Sequence, residues 1–157
     1  QHSAVCLTAL SGTVCLFFCF FSLLPVWRAF DKWLLYNIRV HKGVIPEQLV
    51  LLLELLLDEP DLSLTALRAL EKTYHLQDRD AEVRHRWCEL VVKHKHTAAY
   101  KDVERFLLQD QAMGVYLYGE LMVQEDAHQQ ALARRCFSQA QEEMDPAVRK
   151  VVEEMIY

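Results

Sequence analysis

From Ile45 to the end of the chain, apolar residues recur at helical spacing, and no stretch keeps a strand's alternation for long. Pro46 stands where a first-turn proline is tolerated. The "EQLVLLLELLL" after it presents leucine on nearly every side, so this helix has to be covered on more than one face. "DEPDLS", residues 58–63, ends it: Pro60 cannot continue the ladder, and Asp61 or Ser63 is placed to cap the next helix. In "LTALRALEKTY" the stripe is Leu67, Leu70 and Tyr74, and the short link predicts an antiparallel pair with the helix before it.

A third helix is expected to open at Asp78 or Asp80 and run toward His94. Val83, Trp87, Leu90 and Val91 form its packed face, His94 closes the stripe, and Arg84, Arg86, Glu89 and Lys93 are left outside. Thr97 is the next N-cap, and Tyr100, Val103, Phe106 and Leu107 mark another core face. Gly114 and Gly119 are expected to bracket a shorter helix, "VYLYGELM". Glu125 and Asp126 then open a long one in which Ala133, Cys136, Phe137, Ala140 and Met144 recur. Asp145 and Pro146 begin the last helix, lined by Val148, Val151, Val152 and Met155. About seven helices on short connections predict an all-α fold, a right-handed α-α superhelix of stacked helical hairpins of the armadillo or HEAT type. The hairpins carry no sequence repeat.

The start is different. Ala4 to Val26 runs for twenty-three residues without a charge, which as a helix reaches roughly 35 Å, enough to cross a bilayer. Arg28, Lys32, Arg39 and Lys42 come after it, so a real span would leave the rest of the chain in the cytoplasm. Ser11, Gly12, Thr13, Ser22 and Pro25 interrupt the run, and no basic flank precedes it, which leaves a buried helix or a segment foreign to the domain as the competing readings. The composition shift near Trp27 divides the chain into an apolar segment at 1–27, a connector at 28–45 and a helical domain at 46–157.

With 157 residues, 52% of them hydrophobic and 25% charged, the chain can bury one substantial core. A net charge of −5 and a pI near 5.8 exclude a surface built to wrap nucleic acid. The five cysteines, Cys6, Cys15, Cys19, Cys88 and Cys136, are odd in number and irregular in spacing, which fits a reducing compartment rather than a disulfide framework. A cytoplasmic location is expected, with membrane association through Ala4 to Val26 as the alternative.

The stretch "HRWCELVVKHKH" holds His85, Cys88, His94 and His96. His85 and Cys88 could approach a common point on a helix, but a structural zinc site needs four closely spaced soft ligands, and no CxxC or second His pair completes one. The better reading is a basic helix C-terminus, where Lys93, His94, Lys95 and His96 meet the negative end of the helix dipole. No HExxH, GxSxG, P-loop or dinucleotide fingerprint is present. Glu142 with Glu143, and Glu153 with Glu154, read as solvated surface. No catalytic, cofactor-binding or metal residue is assigned. Of Tyr100, Tyr116 and Tyr118, at least two are expected in the core.

The segment "TYHLQDRDAEVRHRWCELVVKHKHTAAYKDVERFLLQDQAMGVYLYGELM" and the tail "ARRCFSQAQEEMD" through "VVEEMIY" carry a resemblance. From about Ile45 to Tyr157 the chain resembles the C-terminal domain of the aminopeptidase B and leukotriene A4 hydrolase family of zinc metallopeptidases. Arg86-Trp87 followed by the "V..FL..Q" element is its most specific part. The resemblance implies a helical domain that packs beside a thermolysin-like catalytic domain and walls one side of a peptide substrate's cleft. Zinc, held in the parent enzyme by two histidines and a glutamate, belongs to that other domain. It also implies two basic residues in the turn before "YLY" that receive a peptide's C-terminal carboxylate. This chain departs there, reading Gln109, Asp110, Gln111, Ala112, Met113 and Gly114. Epoxide hydrolase activity is not implied. The leading expectation is a noncatalytic part of a zinc aminopeptidase; the alternative is a helical scaffold, tethered to a membrane or free, that binds a protein along its concave face.

Overall fold

The computed structural model describes residues 34–37 and 43–157; the apolar run from Ala4 to Val26 lies outside them. No helix among the described residues is long and apolar enough to cross a membrane. Helical residues 34–37 come first, and Leu34 is buried in the same core as the later helices.

Helix α1 is Pro46–Leu57, with Pro46 in its first turn and Leu49, Leu53 and Leu56 buried. Helix α2 is Leu64–Tyr74; its cap is Ser63, whose hydroxyl accepts the Ala66 N–H at 3.1 Å. A short 3-10 turn, Leu76–Asp78, leads into α3, Ala81–Lys93, capped by Asp80 through the Val83 N–H at 3.1 Å. After a second 3-10 turn, Thr97–Ala99, come α4 (Tyr100–Gln109), α5 (Gln111–Val123), α6 (Ala127–Ala140) and α7 (Pro146–Ile156). The described residues are all-helical, as the apolar periodicity predicts.

The odd-numbered helices stack in sequence, α1 on α3, α3 on α5, α5 on α7. Helices α4 and α6 pair with each other and lean across onto that row, and the Leu76–Asp78 turn ties α2 to α3. The physical cause lies in the leucine-rich α1: its main cover comes from α3 rather than from α2, so the expected α1–α2 hairpin is not its chief contact. Sequence proximity fixes which helices can meet, but the wider apolar surface decides which ones do.

Four boundary expectations change. Thr97 is exposed and opens the 3-10 turn, while α4 starts at Tyr100 without a side-chain cap. Gly114 and Gly119 both lie inside α5, because neither has positive φ and helical backbone suits them as it suits any residue. Gly114 is there for space: a Cβ would stand 3.0 Å from Leu107 Cδ2, where α5 crosses α4. Met144 is buried in the turn after α6 rather than within it. On α7 the covered stripe is Val148, Val152 and Ile156, leaving Val151 and Met155 exposed.

Three helix ends turn through non-glycine residues with positive φ: His75, Lys95 and Glu125. At Lys95 the Schellman pair is complete, Lys95 N–H to Val92 O at 3.2 Å and His96 N–H to Val91 O at 2.9 Å. Glu125 is exposed and comes directly after the α5 cap residue Gln124. Glycine adopts this conformation without a Cβ penalty, so Glu125→Gly is expected to stabilise the fold by about 0.5 kcal/mol. A rise in urea midpoint at constant m would show it; a fall would mean that the exposed side chain has a role in the turn.

Candidate functional site

Helix α3 is covered on more sides than its periodicity predicts. Val83, His85, Trp87, Cys88, Leu90, Val91 and Val92 are all buried, and the residues expected outside, Arg84, Arg86, Glu89 and Lys93, are half-buried. Successive residues on a helix point about 100° apart, so "RHRW" sends four side chains to different neighbours.

Arg84 reaches the α4–α5 junction. Its guanidinium lies 2.9 Å from Asp110 Oδ2, 3.5 Å from Gln109 Oε1, and 5.6 Å from the centre of the Phe106 ring. Asp110 is the single residue between α4 and α5, and its carbonyl accepts the N–H groups of Met113 and Gly114. The turn in which two basic residues are expected thus carries an acid held by an arginine. His85 stacks on the same Phe106 ring at 5.6 Å and 16°.

Arg86 faces the other way and gathers three carboxylates: Glu54 of α1 at 3.1 Å, Glu82 at 3.3 Å and Glu89 at 3.0 Å. Burial works against its charge, but the Glu89 hydrogen bond and the three carboxylates outweigh it and raise its pKa further. Trp87 is fully buried, and its indole N–H donates to Asp102 Oδ2 at 3.3 Å in the first turn of α4. Arg105 lies 3.9 Å from Asp102 and from Asp78, and it donates to the Gln77 carbonyl. The Arg86-Trp87 pair that carries the resemblance is therefore the joint between α1, α3 and α4.

The C-terminus of α3 is less basic than its sequence predicts. Lys93 donates to the Leu57 carbonyl at the end of α1, so its charge serves a neighbouring helix end. Lys95 pairs with Asp126 at 3.4 Å. Asp126 itself caps α6, and the Gln129 N–H, then the His128 N–H and the Lys95 ammonium, hold its carboxyl below the usual range. The histidines are not the cations expected there. Burial, then Lys93, lowers the pKa of His94; burial, then Arg68, lowers that of His96, which packs edge-on to Trp87. Gln129, wholly buried, donates to Val92 O at 2.8 Å and to the Tyr100 hydroxyl at 3.0 Å, locking α6 over this end. Its role is absent from the apolar periodicity because a lone glutamine on α6 reads as surface.

Both histidines sit below the ordinary value of 6.5. As pH falls through 6.5 the unfolded chain takes protons that the folded chain refuses, so the stability present above that pH is lost on acidification. The slope is bounded at ~1.4 kcal/mol per pH unit per histidine. Urea midpoints from pH 7.5 down to 5.5 are expected to fall for the wild type and to fall less for His94→Gln. Equal slopes would remove His94 from the account.

Cys88 and Cys136 are free and buried, and burial pushes both thiols up, Cys136 to about 11, so neither is a ready nucleophile. Tyr100 and Tyr118 are core residues and Tyr116 is exposed, as expected for two of the three. Among the described residues, no three His, Cys, Asp or Glu side chains come together in a way that could hold a metal ion. The zinc implied by the resemblance has no ligand set here.

The family described as "Leukotriene A4 hydrolase, C-terminal" matches residues 44–156. The chain belongs to this family. In the leukotriene A4 hydrolase C-terminal family, it is similar to aminopeptidase O of Homo sapiens, 65% identical over 118 residues, which are 75% of this chain and 14% of that protein. Aminopeptidase O of Mus musculus is 56% identical over 137 residues, 80% of this chain and 17% of that protein. The chain therefore spans about one-sixth to one-seventh of these relatives, from the 17% and 14% covered. No solved structure matches it.

Proposed function

We propose that this chain is the C-terminal helical part of a zinc aminopeptidase, that it packs on a catalytic domain elsewhere in the same polypeptide, and that it walls one side of the peptide cleft. The observation that supports this most is the family match across nearly the whole described region, in a chain that spans so little of its relatives' length. Zinc chemistry, if the parent follows its family, resides outside this chain, since the described side chains form no ligand set. What this chain contributes is shape and charge.

Peptide mapping of the endogenous protein, captured through residues 78–109, tests the assignment. Peptides from an upstream HExxH region joined to this segment support it. A small species carrying Ala4 to Val26 and nothing upstream would replace it with a noncatalytic scaffold.

At the α4–α5 junction, the Arg84–Asp110 pair replaces the basic turn, so the cleft wall offers a peptide's carboxylate no uncommitted cation there. The parent enzyme is expected to cleave free-acid peptides and their C-terminal amides with similar kcat/KM. Asp110→Asn frees Arg84 and is expected to favour the free acid by about tenfold, the worth of one weak charge-assisted hydrogen bond. An unchanged acid-to-amide ratio would place this turn away from the substrate.

A further inference from the structure

An apolar strip runs across the outer side of α5 and α7. Tyr116 and Val123 are 77% and 76% exposed, and Val151 and Met155 are 43% and 39% exposed. Tyr116, Gly119 and Val123 recur at i, i+3 and i+7 on one side of α5. The Met155 Sδ of α7 lies 3.7 Å from where a Gly119 Cβ would stand, which joins the two helices into one strip. Single exposed apolar residues are ordinary; a continuous run across two helices is not.

Gly119 supplies a second observation. It occupies a helix interior, where glycine costs roughly 1 kcal/mol relative to alanine. Its φ is not positive, and Met155 Sδ, in ordinary contact, is all that a Cβ would meet within 4 Å. Neither the backbone nor the packing inside this chain requires glycine there. The gap it leaves between Tyr116 and Val123 is open to an atom from outside.

We propose that the strip is the face on which the remainder of the same polypeptide docks, with an apolar group of that part seated over Gly119. This rests on the reading of the chain as one part of a longer aminopeptidase, and it assigns the surface that reading leaves open. The matched relatives are about six to seven times longer than the region they share with this chain, from the 17% and 14% covered, so a large body of chain is available to cover it. Glu120 and Glu154 are exposed beside the strip. A second copy in a two-fold contact would bring acidic rim toward acidic rim in a chain of net charge −5. The partner surface that fits is apolar at its centre and bears Lys or Arg around it. Domain interfaces within one chain bury roughly 600–1,500 Å², so the strip is the centre of the contact and not the whole.

Hydroxyl-radical footprinting of the longer polypeptide beside the 157-residue chain tests this, with the 85% exposed Tyr157 as internal reference. Tyr116 and Met155 are expected to oxidise freely in the short chain and several-fold more slowly in the long one. Gly119→Leu in the long polypeptide is expected to return Tyr116 to the short-chain rate, while the melting of the short chain stays unchanged. Protection on another face of the helices, with the strip still reactive, overturns the surface and leaves the domain assignment standing; no protection on any helix overturns the assignment as well. Protection already present in the short chain overturns the occupant: if it vanishes on dilution the cover is a second copy, and if it persists the cover is residues 1–33. Unchanged protection in Gly119→Leu overturns the seat over Gly119.

Discussion

Trp87→Ala is expected to lower the unfolding free energy by about 3–5 kcal/mol, the usual cost of emptying a fully buried aromatic site. Trp87 has no exposed surface, sits on the helix with the widest set of neighbours, and holds Asp102 through its indole N–H. The loss therefore combines a cavity with a carboxylate deprived of one donor. Trp87→Phe separates the two, since it keeps most of the volume and removes only the hydrogen bond, worth about 1.5–3 kcal/mol to a charged acceptor. Urea melts of the three proteins would decide it. If phenylalanine and alanine cost the same, the cavity is being filled by relaxation and the Asp102 contact carries the effect.

Arg86→Met keeps an aliphatic stem against α3 and α1 and removes the charge from between three carboxylates. Glu54 and Glu82 are 43% and 47% exposed, so water already screens them; Glu89, at 19%, is the stronger partner. A loss of about 1–2 kcal/mol is expected, most of it from Glu89, which is left half-buried without its cation. The loss should shrink in high salt and when Glu89→Gln is made in the same chain. A change below about 0.5 kcal/mol would put the cluster with ordinary surface ion pairs.

The helices were legible because a core face repeats at helical spacing. Ser63, Asp80, Asp126 and Asp145 cap where the sequence places caps, and Leu67, Leu70, Tyr74, Val103, Phe106 and Leu107 are buried as their spacing predicts. What periodicity misses is any residue whose role depends on a second element. Gly114 reads as a break until Leu107 is seen against it. His94 and His96 read as cations until their burial is known. Gln129 reads as surface until Val92 and Tyr100 are found at its amide. The exposed pair Val151 and Met155 is the same error in reverse, because an apolar stripe marks a face to be covered and does not say by what. The Arg84–Asp110 contact joins residues far apart in the chain, and neither residue announces the other.

The order in which the helices lean on one another bears on how the domain is made. Each odd-numbered helix finds its principal supports within two positions along the chain, α1 with α3, α3 with α5 and α5 with α7. Such local wiring means low contact order, and the loops that must close before a helix is rewarded stay short. During synthesis, α1 to α3 can consolidate around Trp87 while α7 is still unmade. The late arrival of α7 leaves its outward edge as the last surface to find a cover.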